Sequence, residues 1–372
     1  MSVNSGPISF FIPALNGGGA QKVVVNLANE LIELTDRPVH VVLARAEGEF
    51  LDDVREEVQL VDLRKGRASR AIPALARYLR NVRPAVLCSS LHYANVCASL
   101  AWHIAGRPCR LVLREDNVVK APKGPLGSRV HGMLLQRLMG WLYPRADAVV
   151  ALGDAVAQTL QDRGICTASD IRVIGNPVVI PSGDPSVELP STERTWSSNY
   201  IVAVGRLAEQ KGFDVLIKAF AQLPVQDVDL VILGEGPLRP SLEALGHDLG
   251  VNDRVHLPGF ISGPSSVLAK SRLFVLSSRW EGLPIVLLEA LAAGKPIVST
   301  DCPGEVRGLL LDGALAHLVP TDDPVSLAEA ITQALAVPRA TPEERVRRAN
   351  DFSAPAIARQ YLVEAFELSA DR

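Results

Sequence analysis

Short apolar runs alternate with amphipathic runs along most of this chain, and this alternation constrains the fold more than any other feature. Runs rich in Val, Ile and Leu predict buried strands, and apolar residues at helical spacing predict helices. In the first half the predicted strands are 8–13, 39–43, 85–89, 110–113, 147–150 and 171–174. The predicted helices between them are 20–34, 71–81, 128–142 and 154–162. Strands that alternate with helices favour parallel sheets covered by helices, so the predicted fold class is α/β.

The chain is long enough for two such layered units. Its 372 residues exceed one typical domain, and 48% of them are hydrophobic, which is enough for two cores. Residues 177–198 are rich in Pro, Ser and Thr and predict a linker, after which a second alternating unit begins at Tyr200. Near the end, Ala354–Leu368 has the pattern of an amphipathic helix.

The segment from Arg279 to Glu289 predicts two carboxylates around the start of one helix. Pro284 suits a first helical turn and Gly294 a helix end, so Glu281 falls in the preceding loop and Glu289 on the second turn. Free N–H groups at the helix start favour a phosphate, and carboxylates beside it can hold sugar or ribose hydroxyls. The alternative is a buried amphipathic helix with one solvated glutamate.

A second motif follows the strand that begins at Tyr200. Arg206 and Lys211 flank a turn between this strand and a helix that begins near Phe213. In a doubly wound sheet ligands bind at the carboxyl ends of the strands. A forked guanidinium and a compact ammonium on one such turn suit a diphosphate, although two basic residues on a turn are often only solvated.

Three loops of the first half also follow strands. In Gly17-Gly18-Gly19 the absence of side chains lets backbone N–H groups approach a phosphate or sugar. The spacing of these glycines is not that of a dinucleotide-binding fingerprint. The alternative is a tight turn that binds no ligand. His92 follows the buried strand 85–89, and Asn95 is predicted to open a helix. Glu115 and Asn117 follow strand 110–113 and are candidates for orienting a second substrate.

These segments together resemble the retaining GT-B glycosyltransferases of family four, the glycosyl transferases group one. The donor-site pattern of that family, Glu, seven residues, Glu, is matched by Glu281 and Glu289. Its Gly-Arg-Leu and Lys-Gly elements are matched at Gly205 and Lys211. Further similar stretches, which extend the resemblance to nearly the whole chain, are 16–21, 146–150, 174–177, 230–237, 255–259 and 296–301.

The resemblance implies a GT-B fold of two Rossmann-like domains facing across a cleft. Residues 1–180 would form the acceptor domain and 198–353 the nucleotide-sugar donor domain, with 354–372 as a helix crossing back to the first domain. The implied catalytic residues are Glu281, Arg206 and Lys211. The implied donor-binding residues are Glu289, Gly282, Leu283, Gly18 and Gly19, and the implied acceptor-binding residues are His92, Glu115 and Asn117. Many relatives carry a histidine where Asp116 stands, which leaves the role of Asp116 open.

No metal or cofactor is expected. Asp227-Val228-Asp229 spells a carboxylate pair that other glycosyltransferases use for a metal, but it precedes strand 230–233, away from the ligand-binding edge. It is therefore predicted to be a solvated pair.

The implied reaction is retaining, metal-independent transfer of a sugar from a nucleotide diphosphate sugar to a hydroxyl of a glycan or lipid-linked acceptor. Surface polysaccharide, lipopolysaccharide or glycolipid assembly would use such a step. The alternatives are a nucleotide-sugar epimerase or phosphorylase on the same fold, and a non-catalytic scaffold. The base, the sugar, the acceptor and the oligomeric state stay open.

Charge is distributed unevenly. The segment from Arg64 to Arg145 holds 15 lysine or arginine residues against Glu115 and Asp116, in a chain whose formal net charge is −3. Such a basic block favours contact with an anionic membrane or a phosphorylated acceptor. Few aromatics interleave the block and no nucleic-acid motif appears, which disfavours nucleic acid. Helix Val130–Tyr143 is predicted to be mostly core, with a membrane-facing side as the alternative.

The sequence also favours a cytoplasmic location, with peripheral contact at the inner membrane face. Five scattered cysteines with no close pair predict neither a disulfide framework nor a zinc site. No segment has the pattern of a secretory signal or approaches ~20 uninterrupted apolar residues.

Overall fold

A computed structural model describes residues 5–116, 126–180, 196–261 and 263–370, with the backbone alone for 126–131. Contacts divide the chain into two units, Met1–Pro177 with Ala354–Arg372, and Val178–Ser353. Most of the predicted linker, and Asn117, lie outside the described residues. Within the described ranges no helix is long and apolar enough to cross a bilayer.

The first unit contains a parallel sheet of seven described strands in the order β3-β2-β1-β4-β5-β6-β7. Its strands are β1 (Ile8–Ile12), β2 (Val39–Leu43), β3 (Gln59–Asp62), β4 (Val86–Ser90), β5 (Arg110–Glu115), β6 (Ala148–Ala151) and β7 (Ile171–Val173). Its helices are α1 (Gly19–Leu34), α2 (Ala68–Val82), α3 (His92–Ala105), α4 (Leu126–Leu142) and α5 (Asp154–Asp162). The apolar central strands are buried because helices cover both faces of a parallel sheet.

The predicted elements of this half are confirmed within three residues at each end. Strand β3 was not predicted, because it is an edge strand with mostly exposed residues and lacks the apolar run that marks the others. The prediction that α3 begins at Asn95 was wrong. The helix starts one turn earlier at His92, and Asn95 is fully buried on its first turn.

The second unit contains a parallel sheet of six described strands in the order β10-β9-β8-β11-β12-β13. Its strands are β8 (Tyr200–Val204), β9 (Asp229–Leu233), β10 (Val255–Gly259), β11 (Leu273–Leu276), β12 (Ile297–Thr300) and β13 (His317–Val319). Its helices are α6 (Phe213–Phe220), α7 (Arg239–Asp248), α8 (Ser265–Lys270), α9 (Ile285–Ala292), α10 (Val306–Leu309), α11 (Pro324–Ala336) and α12 (Pro342–Asn350).

The order of strands in each sheet reverses direction at one point. In the first sheet this switch lies between β1 and β4, and in the second between β8 and β11. At such a point the connections from the two strands leave toward opposite faces and open a crevice at the carboxyl ends. The loops after these four strands are therefore where each unit has room for a ligand.

The chain after Ala354 belongs to the first unit. Helix α13 (Ala354–Gln360) packs against α1 and continues into a π-helical turn, Tyr361–Ala365. The Phe366 ring lies edge-on to Phe10 of β1, with ring centroids 6.2 Å apart. The segment is thus attached through buried aromatic packing.

Candidate active site

Three loops meet at the switch point of the second sheet. They are the β8 loop (205–212), the β11 loop (277–284) and the β12 loop (301–305), each of which follows the strand that names it. Gly212 has φ +61°, and a Cβ added there would lie 2.1 Å from the Ser277 carbonyl oxygen. Gly304 has φ +128°, and its added Cβ would lie 2.1 Å from the Glu281 carbonyl oxygen. Glycine at both positions lets the three backbones approach closely.

Glu281 is held deep in this junction. Its side chain is 7% exposed, and its N–H donates to the Pro303 carbonyl at 3.0 Å. Lys211 Nζ lies 2.6 Å from Glu281 Oε1, and Ser278 Oγ donates to the same oxygen at 2.6 Å. A buried carboxyl group needs such partners to offset the loss of its contacts with water. The structure therefore joins Lys211 and Glu281, two predicted site residues on loops that follow different strands, in one ion pair.

Arg206 differs from Lys211 in its surroundings. It is exposed, and its side chain forms no hydrogen bond or ion pair with the part of the chain that the structure describes. The loop after β8 thus carries two cations, the partly buried Lys211 and the exposed Arg206. A guanidinium with no carboxylate partner among the described residues suits an anionic ligand.

Helix α9 contributes the other predicted donor residues. It begins at Ile285, one residue after the position expected, because the backbone of Pro284 is still extended. Glu289 lies on its second turn and is buried, as are Gly282 and Leu283. Both glutamates of the motif are thus buried, contrary to the alternative of a solvated glutamate on an amphipathic helix.

Arg279 anchors the β11 loop, and sequence reasoning gave it no role. Its guanidinium donates to both carboxylate oxygens of Asp214 at 3.0 and 2.9 Å, to Asp322 at 2.6 Å and to the Glu209 carbonyl at 2.7 Å. Partial burial opposes ionisation of Asp214, but the hydrogen bonds and charge of Arg279 outweigh it and lower the pKa of that carboxyl. No fixed spacing joins these residues in sequence, so only the folded chain reveals the anchor.

The glycine loop of the first unit lies at the carboxyl end of β1. Gly18 is the N-cap of α1 and Gly19 its first residue, and no side chain caps that end of the helix. The Gly17 N–H donates to Glu49 Oε2 at 2.6 Å. The loop therefore presents backbone donors, one of which is satisfied by a carboxylate.

Glu115 ends β5 and is 1% exposed. Tyr143 donates its hydroxyl to Glu115 Oε2 at 2.8 Å, and the Asn95 amide lies 3.1 Å from the same hydroxyl. Burial raises the pKa of Glu115 to about 7, against the opposing effects of the Tyr143 hydroxyl and Arg114. His92 is half-exposed at the start of α3, with Nδ1 3.9 Å from Glu115 Oε1. Two of the three predicted acceptor residues therefore lie side by side.

Asp116 has a clear structural role. It pairs with the buried guanidinium of Arg114 and accepts the Leu91 N–H at 2.9 Å. Leu91 has φ +77°, a strained conformation for a residue with a side chain. Asp116 thus holds the loop after β4, and with it the position of His92, to the loop after β5.

Replacing Glu115 with glutamine should change how stability depends on pH. Its pKa rises from 4.5 to about 7 on folding, so the native state holds an extra proton between these values. The protonated Glu115 carboxyl thereby adds up to about 3 kcal/mol to the free energy of unfolding. This stabilisation is fully present below about pH 4.5 and is lost as the pH rises through about 7. We expect Glu115→Gln to remove that decline when melting temperatures are compared from about pH 5 to about pH 8.

Glu56→Gln is the matched control, because Glu56 is exposed and should leave the wild-type profile intact. A Glu115→Gln variant that loses stability in parallel with the wild type would show that Glu115 is already ionised at low pH.

The two carboxylates of the Asp227–Asp229 pair differ in their surroundings. Asp227 is exposed, but Asp229 is partly buried at the amino end of β9, accepts the Ser197 N–H at 2.7 Å and lies 3.2 Å from His256 Nε2. The prediction that both are solvated was therefore wrong for Asp229. In the described residues no group of three or more His, Cys, Asp or Glu side chains could hold a metal ion.

Two family models match the two halves of the chain. Residues 17–180 match the model described as Glycosyltransferase Family 4, and residues 190–351 match that described as Glycosyl transferases group 1. The matches lie one on each of the two sheets.

Known proteins with similar sequences include enzymes whose names contain a diphospho-undecaprenol saccharide or lipopolysaccharide core biosynthesis. One is the N-acetylgalactosamine-N,N'-diacetylbacillosaminyl-diphospho-undecaprenol 4-alpha-N-acetylgalactosaminyltransferase of Campylobacter jejuni, 27% identical over 95% of this chain and 98% of that protein. Another is the lipopolysaccharide core biosynthesis glycosyltransferase LpsE of Rhizobium meliloti, 34% identical over 52% of this chain and 55% of that protein.

A solved structure supports the fold. HepE of Anabaena in complex with UDP-glucose superposes with a TM-score of 0.80 at 20% identity, covering 98% of this chain and 100% of that one.

Proposed function

The chain belongs to the group 1 glycosyltransferases of the GT-B fold, and we propose that it moves a sugar from a nucleotide diphosphate sugar to an acceptor hydroxyl with retention of anomeric configuration. The acceptor we propose is a saccharide on a lipid carrier, used in surface polysaccharide or glycolipid assembly. The Campylobacter relative, similar along nearly its whole length, has a diphospho-undecaprenol saccharide in its name, which supports this choice.

One observation carries the proposal. The partly buried Lys211 and the buried Glu281 and Ser278 form a cluster where β8 and β11 end. The exposed guanidinium of Arg206, unpaired among the described residues, lies on the same loop as Lys211. Arg206 and Lys211 would bind the diphosphate, and Glu281 the hydroxyls of the transferred sugar. Glu289 would hold the ribose. A diphosphate that draws Lys211 toward itself loosens its pairing with Glu281, so donor binding would free the carboxylate for the sugar.

The chemical step that we propose is a front-face displacement. The acceptor hydroxyl oxygen forms a bond to the anomeric carbon as the bond from that carbon to the diphosphate oxygen breaks. The bonding pair leaves with the diphosphate, and the proton of the acceptor hydroxyl passes to a diphosphate oxygen on the same face. Arg206, Lys211 and the N–H groups at the start of α9 would stabilise the charge that develops on the leaving group.

No metal is needed in this scheme. Two cations and the N-terminus of α9 can balance the departing diphosphate, which is the task a divalent ion performs elsewhere. We therefore propose a metal-independent reaction without a cofactor.

The test begins with nucleotide choice. UDP, GDP and ADP are compared by thermal shift, since a bound ligand raises the melting temperature according to its concentration over its Kd. Sugars of the stabilising nucleotide are then incubated with a lipid diphosphate saccharide, with and without EDTA. We expect nucleoside diphosphate and an elongated lipid saccharide in equal amounts, unchanged by EDTA, with the donor's anomeric configuration in the new linkage.

A reaction without acceptor distinguishes the alternatives. A rearranged donor would indicate an epimerase, and a sugar phosphate made with added phosphate would indicate a phosphorylase. Activity that EDTA abolishes and magnesium or manganese restores would contradict metal independence.

A further inference from the structure

Helix α4 exposes an apolar stripe. Met133, Leu134 and Trp141 are 52%, 56% and 48% exposed, and the exposed Arg137 lies between them. At 100° per residue these four positions lie within about a quarter of the helix circumference, along about 12 Å of its axis.

The prediction that this helix is mostly core was wrong for this side, because only its opposite side, with Met139 and Leu142, reaches the core. A helix facing water normally presents polar residues there.

The stripe continues onto the end of α3. The His103 ring stacks on Trp141, with centroids 5.6 Å apart and planes 25° from parallel. Ile104, the next residue, is 53% exposed. We call Ile104, Met133, Leu134, Arg137 and Trp141 the α3–α4 surface.

Arginine side chains lie against Trp141 of this surface and against the neighbouring buried Trp102. The Arg145 guanidinium carbon lies 4.5 Å from the centroid of Trp141, and that of Arg107 lies 5.4 Å from Trp102. Arg145 Nη1 donates to the Trp141 carbonyl. Stacking leaves the remaining N–H groups at the edges of the two guanidinium groups able to donate hydrogen bonds outward. Those donors match the geometry of phosphate oxygens.

Four arginines of this region, Arg80, Arg107, Arg137 and Arg145, form no ion pair within the part of the chain that the structure describes. Arg80 donates to the Ile104 carbonyl. The nearest acidic residue along the chain from Arg145 is Asp147, whose carboxylate accepts the Leu111 N–H at 2.7 Å. The surface is therefore both apolar and positively charged.

We propose that the α3–α4 surface docks on a bilayer that contains anionic phospholipid. The apolar side chains would enter the boundary between headgroups and acyl chains, with Trp141 at the depth that tryptophan prefers. The arginines around them would bind lipid phosphates. A second protein would need a face that is both apolar and strongly acidic, whereas an anionic bilayer supplies this combination everywhere.

This inference deepens the proposed function. A transferase whose acceptor sits on a lipid gains by residing at the bilayer, because its search for the acceptor is then confined to a surface. The docking itself depends only on the α3–α4 surface and the arginines around it, so it can be measured without donor or acceptor.

The test is sedimentation of the full chain with vesicles, in the absence of nucleotide. Vesicles of phosphatidylcholine mixed with phosphatidylglycerol should carry the protein down, and pure phosphatidylcholine should not. Leu134→Gln with Trp141→Gln should weaken partitioning at least about tenfold. Arg137→Gln and Arg145→Gln should each weaken it about fivefold. Added salt should release the protein.

The matched controls lie in the second unit. Val337→Gln removes a more exposed apolar side chain, and Lys218→Gln removes an exposed cation, and both should bind as the wild type does. Absent binding, equal binding to both vesicle types, or Leu134 and Trp141 variants that bind normally would overturn the proposal. So would a dimer that these variants dissociate, since the surface would then be a self-association interface. Normal vesicle binding with no sugar transfer would instead count against the proposed function alone.

Discussion

Lys211→Ala and Arg206→Ala are each expected to lower kcat for sugar transfer by about 10²–10³-fold, because each removes a cation from the developing charge of the leaving diphosphate. Their effects on stability should differ. Lys211→Ala also strips the buried Glu281 carboxylate of its ionic partner, leaving the hydroxyl of Ser278. Removing one partner of a buried pair typically costs about 3–5 kcal/mol. Arg206 is exposed and unpaired among described residues, so its loss should leave stability almost unchanged.

Turnover and thermal unfolding, measured on the same preparations, separate the two effects. Lys218→Ala is the control, because this exposed lysine on α6 should affect neither quantity. If the Arg206 and Lys211 variants both retained near-normal turnover with every nucleotide sugar tried, the donor site would have to lie elsewhere. Equal loss of stability in both would contradict the pairing of Lys211 with Glu281.

Gly212→Ala should disrupt the site through the backbone. Its φ of +61° costs a residue with a Cβ about 1–2 kcal/mol. The new Cβ would also lie 2.1 Å from the Ser277 carbonyl oxygen, so the β8 and β11 loops must separate by more than about 1 Å to restore contact distance. A displacement of that size at a reacting centre can cost about 10²-fold in rate. We expect both a lower melting temperature and a kcat reduced by at least that factor.

Gly250→Ala isolates the conformational cost. Gly250 has φ +67° in the same unit, and nothing lies within 4 Å of its added Cβ. This variant should lose about 1 kcal/mol of stability and keep full activity. Similar turnover in the two variants would show that close approach of the β8 and β11 loops does not matter for catalysis.

Both predictions depend on a junction that sequence reasoning located only in part. The segment around Glu281 and the turn with Arg206 and Lys211 each indicated a phosphate site, because loops at the carboxyl ends of parallel strands have free backbone donors. That Lys211 and Glu281 form one ion pair did not follow, since 70 residues separate them. Nor did the anchoring of Arg279 by Asp214 and Asp322, because ion pairs between segments far apart in sequence leave no periodic signal.

For helix α4, too, the sequence predicted one property and missed another. The period of apolar residues placed α4 within two residues of its observed ends, since burial of one side needs a repeat near 3.6. Its exposed side is almost as apolar as its buried side, so the pattern could not tell which apolar residues are core. Edge strand β3 was not predicted, because most of its residues are exposed and it therefore lacks an apolar run.

The sequence by itself determined the α/β class, the two layered units and most strand and helix boundaries, because these depend on local spacing of apolar, glycine and proline residues. It also indicated, through matching motifs, the family to which the chain belongs. Only the tertiary structure decided which charged side chains meet, which carboxylates lose contact with water, and which apolar residues remain on the surface. Those properties depend on distances between residues far apart in the chain, and these distances are set by how strands and helices pack together.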